Sequence, residues 1–233
     1  MDIATTIALS LGVAWASGIN LYAAVFMLGL MGNQGHIDLP PDLMVVQDPA
    51  VMMAAGFMYC VEFFADKTPG VDNGWDAIHS FIRIPAGAVM ASMAVGDVSP
   101  AMQVAAFLIG GAVTTTTHAT KAGGRVLINT SPEPFSNWVT SVAEDIIVIG
   151  GLWTALNHPV LFLVFLAVFI LLMIWLLPKI WRGIKLVARK LGTLFSKLKP
   201  SQGASPGSGT APPPDPKTID TSELGAPPNK PLT

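Results

Sequence analysis

Apolar residues fall into six runs along the chain, at 3–31, 51–64, 84–95, 101–113, 146–156 and 160–177. A helix that crosses a bilayer needs about 20 predominantly apolar residues. The first and last runs approach or exceed that length alone; the shorter ones must take in flanking polar residues or tilt. The pattern predicts an all-α, polytopic transmembrane bundle of about six helices over residues 1–178, some of them broken or re-entrant. Gly18-Ile19-Asn20 puts a glycine and a side-chain amide inside the first run, where they allow a neighbouring backbone to approach or the helix to break. Residues 32–49 read as an aqueous or interfacial loop in which Pro40 opens a short helix. Taking 69–95 as one kinked span gives six crossings with both termini on the same side.

The polar positions between these runs are not scattered. Glu62 and Asp66 lie four apart at the end of one predicted helix, followed by Lys67 and the breaker Thr68-Pro69-Gly70. Asp72 is placed to cap the next helix, on which Asp76, His79 or Ser80, and Arg83 share one face. A second stretch sets His118, Lys121 and Arg125 on one face of another helix, which Gly123-Gly124 is expected to loosen. Asn129, Ser131-Pro132, Glu133, Asn137, Ser141, Glu144 and Asp145 follow. A face carrying acid, imidazole and guanidinium is tolerated in lipid only if it looks into protein or water, and an intramembrane ionisable group is a functional candidate by default. Asp42, Asp48, Asp72 and Asp97 read instead as solvated loop or cap residues. The candidate polar site therefore comprises Asn20, Glu62, Asp66, Lys67, Asp72, Asp76, His79, Arg83, His118, Lys121, Arg125, Asn129, Glu133, Asn137, Glu144 and Asp145. Pro69 and Trp75 have the same separation as Pro132 and Trp138, a weak internal symmetry of the kind that accompanies midplane sites in transporters.

Composition supports the membrane reading: 52% of the 233 residues are hydrophobic and 12% charged, about half the usual charged share of a soluble domain. The single cysteine, Cys60, excludes a disulfide framework and a thiolate metal cluster. The net charge of -2 conceals an asymmetry, because Lys67, Arg83, Lys121 and Arg125 are the only lysines and arginines before Lys179. Seven more follow between Lys179 and Lys199, which places this end in the cytoplasm by the positive-inside rule. Residues 179–199 have apolar positions at helical spacing, Ile180, Trp181, Ile184, Val187, Leu191, Leu194 and Phe195. Pro178 is expected to separate this basic amphipathic helix from the last span, leaving it on the inner leaflet against anionic lipids. Residues 200–233, rich in Pro, Gly, Ser and Thr, read as a disordered tail. The expected partners are the bilayer, anionic lipids at the basic segment and a second copy of the chain. Nucleic acid is not expected, since the basic run is juxtamembrane and no nucleic-acid fold surrounds it.

Gly18-Ile-Asn-Leu-Tyr22, the stretch from Glu62 to His79, Arg83 to Gly87, His118-Ala-Thr-Lys-Ala-Gly-Gly-Arg125 and the stretch from Asn129 to Asn137 resemble the bacterial membrane proteins grouped as domain of unknown function 4126. The resemblance runs from about Gly12 to Leu156 and implies a multi-pass bacterial inner-membrane protein, without implying an activity. From the residues themselves, the leading expectation is a transporter or channel-like protein for an ion or a charged amphiphile. The acidic set suits a cation or proton, and the basic set suits a phosphate or lipid headgroup. The alternative is an intramembrane enzyme acting on a lipid phosphate, with a divalent cation such as Mg²⁺ on Asp72 and Asp76 and the phosphate on Lys121 and Arg125. A membrane scaffold is the third reading. Ion pairing that merely welds the bundle competes with all site readings.

Overall fold

The computed structural model describes residues 2–68, 71–129 and 134–198. Six α-helices and one 3-10 helix follow in the order α1 (Ile3–Asn33), the 3-10 helix (Pro41–Gln47), α2 (Pro49–Ala65), α3 (Val71–Ala94), α4 (Pro100–Ile128), α5 (Pro134–Asn157) and α6 (Pro159–Leu198). Four α-helices open on proline, whose missing N–H is no loss in the first turn and whose fixed φ suits it. Side chains close other ends: Asp2 accepts from the Thr5 amide at 2.7 Å and Asp48 from the Ala50 amide at 2.8 Å. Among the described residues there is no strand, and 1–192 form one compact unit.

Helix α1 is the axis of the bundle. It is apolar all round, buried on several faces from Ala8 to Met31, and packs on α3, α4 and α5, the arrangement expected of a helix without a polar face. Close approach is made possible by small residues. A Cβ on Gly18 would lie 2.6 Å from the Thr114 carbonyl oxygen and 2.8 Å from the Thr117 Cβ, so α1 and α4 touch there backbone to side chain. Thr114 Oγ1 donates to the Ala14 carbonyl at 2.9 Å and is also the group a side chain on Gly87 of α3 would strike. On its other side α1 presents Trp15, edge-on to Phe162 and Phe169 of α6.

Among the described residues, four stretches are long and apolar enough to cross a membrane: Ile3–Asn33, Asn73–Ala94, Trp138–Asn157 and Pro159–Leu186. The 3-10 helix and α2, bent by 61° at their junction, qualify together as a fifth. Helix α4 has 29 residues but turns polar in its second half. Large apolar side chains such as Phe165, Leu171 and Trp175 point outward from α6, and such outward-facing apolar helices fit a lipid bilayer.

The structure departs from the sequence pattern in three places. The run 84–95 is the end of a longer helix, because α3 passes through Pro85 and extends back to Val71. Helix α4 likewise continues through Gly123-Gly124 to Ile128; a Cβ on Gly123 would lie 2.7 Å from Ile180 Cγ2, so this glycine admits α6 rather than loosening α4. Pro178 does not end the last span: α6 runs unbroken for 40 residues. A proline removes one backbone donor but does not forbid continuation when neighbouring side chains hold the helix. Here Ile180 is buried, and Leu127 of α4 packs against Gly183. The first turns beyond Pro178 are therefore packed on protein. The expected disordered tail at 200–233, and Pro69 and Pro132 of the weak internal symmetry, lie outside the described residues.

Candidate functional site

Asn20 departs from helical geometry inside α1, with φ -145° and ψ 96°. Its own side chain repairs half of the break: Oδ1 accepts from the Ala23 amide at 2.9 Å and so caps the second half-helix. The other half ends at Ile19, whose carbonyl oxygen accepts from Lys121 Nζ at 3.0 Å and Arg83 Nη1 at 3.5 Å. Cations at the negative end of a half-helix are electrostatically favoured. Asn20 Nδ2 donates to Asp145 Oδ1 of α5 at 3.1 Å, tying the break to a third helix.

Around this break the two polar stretches meet. Arg83 of α3 donates to Glu62 Oε1 of α2 and, at 3.0 Å, to Asp76 Oδ1 two turns back on its own helix. Lys121 of α4 donates to the same Glu62 oxygen at 3.0 Å and to Asp66 Oδ2 at 2.9 Å. Arg125 bonds the Asp66 carbonyl at 2.6 Å, Asp66 Oδ2 at 3.1 Å and Glu144 Oε2 of α5 at 2.6 Å. Arg83 and Arg125 are the two largest wholly buried side chains among the described residues, and Glu62 is equally enclosed. Helical spacing explains the convergence: Asp76, His79 and Arg83 bury one face of α3, and His118, Lys121 and Arg125 one face of α4.

The remaining candidates surround this network. His118 Nε2 stands 2.5 Å from Ser80 Oγ, and His79 stacks on Trp75 while Nδ1 meets the Trp75 carbonyl at 3.0 Å. Lys67 lies over the Phe63 ring and 4.8 Å from the Trp138 ring centre. Every lysine and arginine that precedes Lys179 in the sequence is thus gathered at or beside one spot. Asn129 ends α4, its amide donating to the Arg125 carbonyl at 2.9 Å, and belongs to the rim. Glu133 and the side chains of Asp72 and Asn137 lie outside the described residues. Asp42, Asp48 and Asp97 are exposed, as solvated residues should be.

Of the expected metal pair, the Asp72 side chain lies outside the described residues. Asp76 is committed to Arg83 through Oδ1, and among the described residues no three His, Cys, Asp or Glu side chains stand where they could hold one ion. What the sequence did not reveal was the Ile19 carbonyl, which becomes a ligand only because α1 breaks. Nor did it reveal a cavity of about 200 Å³ beside the network, lined at its polar end by Lys121, Arg125, Glu144 and Thr117, and elsewhere by Ile128, Ile147 and Phe169. The four-threonine run at 114–117 was the available signal for a polar wall on α4.

No curated protein and no solved structure matches the chain. The sequence pattern of the family described as Domain of unknown function (DUF4126) matches residues 7–179, which takes in every helix that contributes to the network. The chain belongs to that family.

Proposed function

We propose that the protein is a membrane transporter or channel-like protein for an ion or a charged amphiphile, with the buried ion network as its site. The observation that carries this reading is the meeting of both charged faces at a break in the central apolar helix. Taking charges out of water costs several kcal/mol per ion, and a buried ion network is often no more stable than a hydrophobic set of the same volume. Such a network inside a membrane bundle is better explained by use than by stability. Discontinuous helices whose freed backbone groups face charged residues are a recurrent way of building transport sites. The cavity beside Lys121, Arg125 and Glu144 supplies a route by which a solute or headgroup reaches the network.

In this reading the protein resides in a bacterial inner membrane. The basic end of α6, with Lys179, Arg182, Lys185 and Arg189, lies on the cytoplasmic side near anionic lipids. The enzyme reading is weaker because Asp76, half of its metal pair, is paired with Arg83.

The test is reconstitution into liposomes, with ion flux and fluorescent-phospholipid translocation measured for wild type, Asp76→Asn and Arg125→Gln. Loss of one of these activities in both variants, with the fold retained, supports a transport site. If both variants match wild type in every flux assay and differ only by a lower melting temperature, the network is a weld and the proposal fails.

A further inference from the structure

We propose that the network holds one exchangeable proton, and that Glu144 is the group through which it enters and leaves. The inference deepens the transport reading by naming the ion, but its test does not depend on flux.

Charge parity is the first argument. Among the described residues, three cations, Arg83, Lys121 and Arg125, face four carboxylates, Glu62, Asp66, Asp76 and Glu144. At the border Lys67 and Asp145 attract each other and add one charge of each sign. The chain has no further lysine or arginine before Lys179 to correct the imbalance. Fully ionised, the described network would therefore carry an uncompensated negative charge where Glu62, Arg83 and Arg125 are 0% exposed. A buried charge without a partner neutralises rather than persists.

The second argument is the unused hydrogen-bonding capacity. Glu62 Oε2, Asp66 Oδ1 and Asp76 Oδ2 are buried and accept no hydrogen bond. A carboxyl proton turns one acceptor of such a set into a donor. Carboxylate oxygens do converge, but on the Lys121 ammonium, and among the described residues no three His, Cys, Asp or Glu side chains are arranged to hold a metal ion.

Access singles out Glu144. Its side chain is 16% exposed, against at most 4% for the other six members of the network. It also lines the cavity that opens beside Lys121 and Arg125. Of the network's acids, Glu144 is the one that lines this cavity, so a proton entering there meets it first. Once neutral, Glu144 loosens its hold on Arg125, 2.6 Å away, and on Lys121, 3.6 Å away. Among the described residues, Glu144 interacts directly with Lys121 and Arg125 of α4 and with Asp66 just after α2. Tyr22 of α1, Tyr59 and Glu62 of α2, Lys67 between α2 and α3, Asp76, His79 and Arg83 of α3, His118 of α4 and Asp145 of α5 belong to the same polar cluster through these and further contacts. Because Glu144 interacts with several charges at once, proton count is a better readout than any single group's behaviour.

The experiment is infrared difference spectroscopy on the full-length protein in lipid nanodiscs, between acid and alkaline buffers, in H₂O and D₂O. Wild type should show one protonated-carboxyl band that titrates and shifts in D₂O. Glu144→Gln should lose it, Glu144→Asp should retain it at a displaced pH, and His118→Gln should leave it in place. Lys121→Met, with one cation fewer, should gain a second carboxyl band, which keeps the test decisive if Glu144→Gln does not fold. The proposal is overturned if wild type has no titrating carboxyl band, or if the band survives in Glu144→Gln. It is equally overturned if only an imidazolium signal titrates, or if sodium chloride abolishes the band by supplying the missing charge as a metal ion. A protein that shows the band but no flux refutes the transport reading alone.

Discussion

Replacing Lys121 by methionine removes the one side chain that touches both acids of α2's end and the broken end of α1. Its ammonium donates to Glu62 Oε1 at 3.0 Å, to Asp66 Oδ2 at 2.9 Å and to the Ile19 carbonyl at 3.0 Å. Hydrogen bonds to charged groups contribute about 1.5–3 kcal/mol each, so the two carboxylate bonds alone put the loss at about 3–6 kcal/mol. Methionine refills most of the volume, and each acid keeps an arginine, Arg83 on Glu62 and Arg125 on Asp66. The expected cost is therefore about 3–5 kcal/mol, the range found when one partner of a buried pair is deleted. Equilibrium unfolding in mixed micelles reads it. The double variant with Glu62→Gln should cost less than the sum of the two single changes by at least about 1 kcal/mol, since contacting pairs couple by about 0.5–3 kcal/mol. A Lys121→Met cost below about 1 kcal/mol, or additivity within about 0.5 kcal/mol, would refute the reasoning, because buried partners cannot be energetically independent.

Other substitutions probe the scaffold that holds the network. Gly18→Ala places a Cβ 2.6 Å from the Thr114 carbonyl oxygen and should destabilise by about 1–3 kcal/mol, whereas Gly150→Ala, which meets open space, should not lower the melting temperature. Asn20→Ala removes the cap on Ala23 and the bond to Asp145, and should cost about 1–2 kcal/mol in the same unfolding assay. Asp48→Ala removes a cap on exposed α2 and should cost about 1 kcal/mol while leaving liposome flux unchanged.

The faces of the site were legible because helical periodicity is local: the spacing of Asp76, His79 and Arg83, and that of His118, Lys121 and Arg125, fixes which side chains share a side. Which face meets which is not local. It depends on Gly18 and Gly87 letting α4 lie close against α1 and α3, and no spacing along the chain states that Asp66 and Arg125 will pair. Packing also explains why composition misleads. Gly123 reads as a breaker, yet it is a contact for Ile180, and the packing it permits keeps α4 helical. Pro178 reads as a stop, yet Ile180 and Gly183 beyond it pack on α4 and the helix continues. Asn20 was readable as a place where a break is possible. That the break would present the Ile19 carbonyl to Lys121 required the fold.

If the charges serve transport and not cohesion, one variant separates the two. Arg125→Met with Glu144→Leu removes a close pair together and leaves Asp66 its bond to Lys121 at 2.9 Å. Apolar replacement of a whole buried pair is often neutral or stabilising by about 1–4 kcal/mol. Reconstituted beside wild type, the double variant should melt no lower and should show no flux. A double variant that transports like wild type, or one that unfolds while Glu144→Gln alone stays active, would contradict the account.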